Sequence, residues 1–186
     1  YMPIGEEDIF RIQKNVSFIN KLIVQKKIYH GLIPLFEYLP FLLGVRESKQ
    51  LPLSTLDQKA YFALQKIIRA TRNLDEGLLT NAFSQLTGLG IGLTPSGDDI
   101  LSGLFATLII TSKAATRNWL MDILEKLLPR IDGLTNDISL NYLKAVSQGY
   151  FPERVSSLIS AMITEKRFAD FQPALQDMLQ WGHTSG

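Results

Sequence analysis

The sequence of 186 residues contains no cysteine, which excludes disulfide bridges and thiolate metal sites. It lacks any apolar run of the ~18 residues that a membrane-spanning helix needs, and residues 1–5 do not resemble a secretory signal. An excess of one charge is also missing, because 19 basic residues face 18 acidic ones. A surface that binds nucleic acid or anionic lipid would need such an excess. We therefore expect a cytoplasmic protein that binds neither nucleic acid nor membranes.

Strand patterns are equally scarce. No segment alternates convincingly between apolar and polar residues, and a helical period dominates, as in the face formed by Ile9, Ile12, Val16 and Ile19. This predicts an all-α fold, an orthogonal or antiparallel bundle of about eight helices around a central apolar helix. Residues 1–186 are expected to form a single helical domain. Because the chain does not begin with Met and stops at Gly186, we expect it to be the C-terminal part of a longer protein.

Capping residues and prolines predict where the helices begin and end. Ser54 opens a capping box and a helix that reaches about Arg72. Pro129 is expected to end another helix, because proline lacks the N–H that a helix interior uses. Further helix starts are predicted at Asp75, Thr116, Thr135 and Asp170.

One predicted helix, from about residue 96 to residue 111, is apolar nearly all round ("ILSGLFATLII", residues 100–110). A helix without a polar face is buried on every side, so we expect this one to be the most buried. Its predicted core residues are Ile100, Leu104, Phe105 and Leu108. Gly97 lies in its first turn, where Gly97→Val is expected to disturb a binding site more than the fold.

The segment before this helix reads "GLGIGLTPSGDDILSG" (residues 88–103), and two familiar glycine motifs do not fit it. A phosphate-binding P-loop has the glycine spacing of Gly92 and Gly97, but Asp98 and Asp99 replace its lysine and hydroxyl. A dinucleotide-binding fingerprint would follow a strand, whereas this segment follows a predicted helix. A simpler interpretation is a capping box with Ser96 as the N-cap and Asp99 at the third helical position.

The capping interpretation leaves the glycines unexplained, because a cap needs none of them. Glycine turns and a helix start present backbone N–H groups, which suit the anionic end of a ligand. Asp98 and Asp99 suit the N–H donors of an amide or ureido end, or alternatively Mg²⁺. The residues expected to bind the anionic end are Gly90, Gly92, Ser96 and Gly97, with Thr94 in support. The sequence therefore predicts a mixed site, with a metal-dependent hydrolase as an alternative.

The end of the chain, "WGHTSG" (residues 181–186), repeats the small hydroxylated character of the first loop. We expect Thr184 and Ser185 to line the same concavity as Thr94 and Ser96. His183 is then expected within about 10 Å of Asp98 or Asp99, as an anion ligand or general acid.

Three segments together resemble the signature of a bacterial family: "GLGIGLTPSGDDILSGLFA" (88–106), "SLNYLKAVSQG" (139–149) and "GHTSG" (182–186). That family includes the AllH-type subunit of oxamate carbamoyltransferase, from anaerobic allantoin degradation, and the resemblance extends from roughly residue 55 to the end. It implies transfer of a carbamoyl group between oxamate, carbamoyl phosphate and oxalurate, alongside two other types of subunit. Family members are longer, with an N-terminal β-rich portion.

The implied substrates agree with the mixed site, because oxalurate carries a carboxylate at one end and ureido N–H donors at the other. If this subunit holds the active site, Asp98, Asp99 and His183 are the expected catalytic residues. The expected substrate-binding residues are Gly90, Gly92, Thr94, Ser96, Gly97, Thr184 and Ser185. The alternatives are a non-catalytic scaffold or ligand-binding subunit, and a Mg²⁺-dependent hydrolase that uses Asp98 and Asp99.

Overall fold

The computed structural model describes residues 4–26, 31–42, 53–165 and 167–181. These residues form nine α-helices and one 3₁₀ helix and contain no β-strand, which confirms the prediction of an all-α multi-helix fold. Within the same ranges, no helix is both long and apolar enough to cross a membrane.

The helices are named here in chain order. In order they are α1 (Glu6–Lys26), the 3₁₀ helix (Ile33–Tyr38), α2 (Leu39–Leu42), α3 (Thr55–Asn73), α4 (Glu76–Leu86), α5 (Ser96–Thr111), α6 (Ala114–Ile131), α7 (Asp137–Ser147), α8 (Glu153–Thr164) and α9 (Phe168–Trp181).

Two of the predicted caps form as expected. The Ser54 hydroxyl accepts a hydrogen bond from the backbone N–H of Asp57 at 3.1 Å, and the Asp75 carboxylate accepts one from Leu78 at 2.9 Å. Each bond satisfies one of the N–H groups that the first helical turn leaves without a partner. In both caps, the accepting side chain and the backbone N–H that donates to it are three residues apart in the chain.

Other predicted boundaries are wrong by one to three residues. Helix α6 begins at Ala114 rather than after Thr116, and it continues past Pro129 to Ile131. Pro129 lacks the N–H that would donate to the carbonyl oxygen of Glu125, and its ring crowds that carbonyl, yet the helix continues for two more residues before it ends. Helix α9 begins at Phe168, so Asp170 lies within its first turn, where a negative charge complements the helix dipole.

Helix α5 is the central helix. It packs against α4, α6, α7 and α8, and Leu101, Phe105 and Ile109 are buried. The Phe105 ring meets that of Phe83 on α4 edge to face, with 5.4 Å between ring centroids. Of the four predicted core residues Phe105 is buried, while Ile100, Leu104 and Leu108 are half-buried against the same core. Asp99 is the only exposed residue of this helix.

Candidate functional site

The connection between α4 and α5, residues 87–95, is the glycine loop predicted from the sequence. It turns sharply at Gly88, whose φ is 70°. A Cβ atom at this position would overlap the carbonyl oxygen of Leu134, in the connection between α6 and α7. Gly88 is therefore required both for its left-handed backbone and for the close approach of the two connections.

Asp98 holds these two connections together. Its side chain is buried, with 1% of its surface exposed. One carboxylate oxygen accepts a hydrogen bond from the backbone N–H of Gly88 at 2.7 Å, and the other accepts one from the Thr135 hydroxyl. Because burying a carboxylate is costly unless it is hydrogen-bonded, this pairing explains how Asp98 tolerates the interior.

Two more hydrogen bonds fix the path of the loop. The backbone N–H of Gly97 donates to the carbonyl oxygen of Leu89 at 2.8 Å. The Asn136 side chain donates to the carbonyl oxygen of Leu93 at 2.7 Å. Hydrogen bonds thus hold the glycine loop near its start, at its tip and at its end. They fix the directions of the remaining backbone groups of the loop.

The predicted capping box at the start of α5 is wrong. Pro95 occupies the N-cap position, no side chain caps the helix, and Ser96 is its first helical residue. The N–H groups of Asp98 and Asp99 instead donate to the carbonyl oxygen of Pro95. The Ser96 hydroxyl lies close to Gly31, where an added Cβ atom would overlap it.

The N-cap of α7 is also a different residue from the one predicted. Asn136, not Thr135, is the N-cap, and its side-chain oxygen accepts from the N–H of Ser139 at 3.0 Å. The Thr135 hydroxyl is engaged with Asp98 and so leaves the capping role to its neighbour. Thr135 and Asn136 both support the glycine loop, a role that no local pattern in the sequence indicates.

Gly97 is buried where α5 leaves the glycine loop. A Cβ atom there would overlap the carbonyl oxygen of Leu86 and lie 3.0 Å from the Cβ of Leu89. The expectation that a side chain at Gly97 would spare the fold is therefore wrong. The first turn of an isolated helix has room for a side chain, but here the backbone of α4 fills that room.

Asp99 differs from Asp98 in its exposure to solvent and in the groups around its carboxylate. It is exposed to solvent, although enough protein surrounds its carboxyl group to weaken the hydration of the charge. This partial burial raises the pKa of Asp99 from 3.8 to about 6, the Thr94 hydrogen bond lowers it, and the Asp98 charge raises it. Asp99 therefore changes its protonation state close to neutral pH.

Replacing Asp99 with asparagine is expected to stabilise the protein at neutral pH. The folded protein keeps the Asp99 proton up to a pH of about 6, whereas the unfolded chain releases it near 3.8. The stability that the protonated group contributes is therefore complete below 3.8 and is lost as the pH rises through about 6. Because water screens this exposed carboxylate, we expect a gain of only about 1 kcal/mol for Asp99→Asn in neutral solution. Urea unfolding at acidic and neutral pH measures it.

A matched control is Asp177→Asn, on the exposed surface of α9. This substitution makes the same change of side chain at an exposed position away from the glycine loop, where a surface substitution has a small effect on stability. If Asp99→Asn were no more stabilising in neutral than in acidic solution, the raised pKa of Asp99 would be contradicted.

The two aspartates do not fit a two-carboxylate magnesium site in this arrangement. Both oxygens of Asp98 face protein donors, which leaves Asp99 as the carboxylate open to a ligand. No cluster of three or more acidic or histidine side chains placed to hold a metal ion occurs among the residues that the structure describes. The end of the chain, with His183, Thr184 and Ser185, lies outside those residues, so its approach to Asp98 or Asp99 stays a prediction.

The structure thus brings Thr94, Ser96 and Asp99 to the surface at the start of α5, while Asp98 and Gly97 lie beneath them.

No solved structure matches the chain. A family model described as oxamate carbamoyltransferase subunit AllH matches residues 86–186, which is more than half of the chain and includes the whole glycine loop. The sequence resemblance is thereby confirmed, and the chain belongs to the family of the oxamate carbamoyltransferase subunit AllH.

Proposed function

We propose that this chain binds a small anionic carbamoyl compound at the glycine loop, as a subunit of an oxamate carbamoyltransferase in allantoin and purine breakdown. The candidate ligands are oxalurate, oxamate and carbamoyl phosphate. Family membership supports the enzyme class. The observation that carries the location is Asp99, the only exposed residue of the central helix, whose carboxyl group has a pKa of about 6.

The anionic end of the ligand is assigned to backbone N–H groups of the loop. The N–H groups of Gly88, Gly97 and Asp98 already donate to protein oxygens. We assign the carboxylate or phosphate to the N–H groups of Gly90, Gly92 and Ser96, for which no hydrogen bond to another described residue is found, next to the positive end of the α5 dipole. Gly97 and Asp98 then act as positioning residues beneath the site.

The amide or ureido end is assigned to Asp99 and Thr94. An ionised carboxylate only accepts hydrogen bonds and so matches N–H donors. In carbamoyl transfer, the amide nitrogen of oxamate attacks the carbamoyl carbon, the bond from that carbon to the phosphate oxygen breaks, and the nitrogen loses a proton. With a pKa of about 6, Asp99 is a stronger base than an ordinary aspartate and is still ionised in neutral solution. We assign it the proton-accepting role, with His183, Thr184 and Ser185 predicted to complete the site.

Isothermal titration of the chain with each of the three compounds tests this proposal. Asp99→Asn is expected to weaken oxalurate binding by about tenfold or more, because it replaces a charge-assisted hydrogen bond. Thr94→Val should weaken binding less, and the control Asp177→Asn should leave it unchanged. Unaltered binding in Asp99→Asn, or an equal loss in Asp177→Asn, would contradict the site.

The alternative of a non-catalytic scaffold subunit has one observation in its favour, the exposure of Ile91 and Leu93 at the tip of the glycine loop. It predicts that the isolated chain binds none of the three compounds. It also predicts that Asp99→Asn leaves carbamoyl transfer by the assembled enzyme unchanged, which the binding proposal does not allow.

A further inference from the structure

Side chains of helix α1 cap the C-terminal end of α8. Arg11 donates a hydrogen bond to the carbonyl oxygen of Ile163 at 2.7 Å, and the Asn15 side chain donates one to the carbonyl oxygen of Met162 at 3.0 Å. The last carbonyl groups of a helix have no partner within it, and α8 has no basic residue in its own last turn. The Arg11 charge also complements the negative end of the α8 dipole. The first helix of the chain therefore completes the eighth.

Further contacts join α1, α8 and α9 to one another. The Phe18 ring of α1 stacks on the Phe168 ring of α9, with 4.8 Å between ring centroids, and α8 packs against both helices. Asn15 is buried within this group, so its loss would leave the Met162 carbonyl group without its partner. We call these three helices the α1–α8–α9 layer.

The layer has a small apolar core of its own. Ile159 and Ile163 of α8 are buried together with Ala106 of α5, and Ile12 of α1 packs against them. The main core is a separate cluster, to which the 3₁₀ helix and helices α2 to α7 contribute. The layer meets the rest of the protein mainly where α8 lies against α5. Phe151, which precedes α8, packs against both cores.

Parts of a protein that have their own buried contacts, and few contacts with the rest, open as separate cooperative units. We propose that α1 holds α8 in place, and that the α1–α8–α9 layer opens as one unit while the helices of the main core stay folded. Helices α4, α5 and α7, which hold the glycine loop, belong to the main core, so the loop keeps its hydrogen bonds when the layer opens. This inference does not rest on the proposed function.

Native-state hydrogen exchange of the full chain tests the separate opening, because each amide exchanges through the least costly opening that exposes it. In the wild-type protein, amides within α8 are expected to be protected at least about tenfold less than the most protected amides of α3, α4 and α5. Equal protection in all of these helices would mean that the protein opens only as a whole, and the proposal would be wrong.

Two matched substitutions distinguish the two cores. Ile67→Val trims the main core on α3, and Ile163→Val makes the same change in the core of the layer, at positions that are both buried. Ile67→Val should lower the protection of α3, α4 and α5 by about fivefold and leave α8 unchanged, because the Ile67 contacts persist when only the layer opens. Ile163→Val should lower the protection of α8 and of the main-core helices by the same factor, because its contacts are lost in either opening. A fall in the protection of α8 in Ile67→Val overturns the proposal.

The role of α1 is tested by Asn15→Ala, with circular dichroism to check that the variant folds. The protection of both α1 and α8 should fall by about fivefold or more, because the lost hydrogen bond joins the two helices. Lys66→Ala, which removes an exposed hydrogen bond between α3 and α4, is the control and should leave α8 unchanged. If Asn15→Ala alters α1 alone, α8 does not depend on α1 and the proposal is wrong. Should Asn15→Ala not fold, Arg11→Ala removes the neighbouring contact and the same outcomes decide.

Discussion

Replacing Gly97 with alanine is expected to destabilise the protein by about 3 kcal/mol or more, a large part of the unfolding free energy of an ordinary domain. The added methyl group would overlap the carbonyl oxygen of Leu86 and crowd Leu89. Backbone atoms cannot rotate away as the end of a flexible side chain can, so α4 and α5 would have to separate. Thermal and urea unfolding of Gly97→Ala measure the loss.

Gly103→Ala is a matched control in the same helix. A Cβ atom at Gly103 meets nothing within 4 Å, and its backbone φ is not in the left-handed region. The same chemical change should therefore stabilise the protein by up to about 1 kcal/mol, because alanine loses less backbone entropy than glycine on helix formation. If both variants were destabilised equally, the close approach at Gly97 would not be the cause.

The helices could be predicted from the sequence because their determinants lie close together in the chain. Ser54 and Asp57, or Asp75 and Leu78, are three residues apart, so a cap can be recognised without knowledge of the fold. The apolar run of residues 100–110 likewise indicates a central helix from composition alone. Local rules predict such features well because tertiary contacts agree with them.

The construction of the site could not be predicted in the same way. Asp98 and Thr135 are 37 residues apart, and no local pattern indicates that they meet. Ser96 was expected to cap α5, but the helix begins one residue earlier than a capping box requires, with Pro95 at the N-cap position. From the sequence, Asp98 and Asp99 were both expected to accept hydrogen bonds from a ligand. In the structure Asp98 is buried and positions the glycine loop, whereas Asp99 is exposed and titrates. The burial of Asp98 depends on its hydrogen bond from Thr135, a residue distant in the chain that local patterns do not indicate.

Replacing Asp98 with alanine is expected to destabilise the protein by about 3 kcal/mol, because two donors lose their buried acceptor. The backbone N–H of Gly88 and the hydroxyl of Thr135 would both be left without a partner, and the glycine loop would separate from the connection between α6 and α7. Asp98→Asn should cost less, since its amide oxygen can still accept from Gly88. Thr135→Val should also cost less, because it removes a single bond. Urea unfolding of the three variants gives the order.

A double-mutant cycle of Asp98→Ala and Thr135→Val isolates the contact between the two side chains, with an expected coupling of about 1 kcal/mol or more. Asp98→Asn has a second readout that a purely structural role would not affect. It removes the negative charge that raises the pKa of Asp99, so Asp99 should titrate below its wild-type value of about 6. Nuclear magnetic resonance of the Asp99 carboxyl group measures that shift. A coupling near zero together with an unchanged Asp99 titration would show that Asp98 neither holds the glycine loop nor tunes the exposed acid above it.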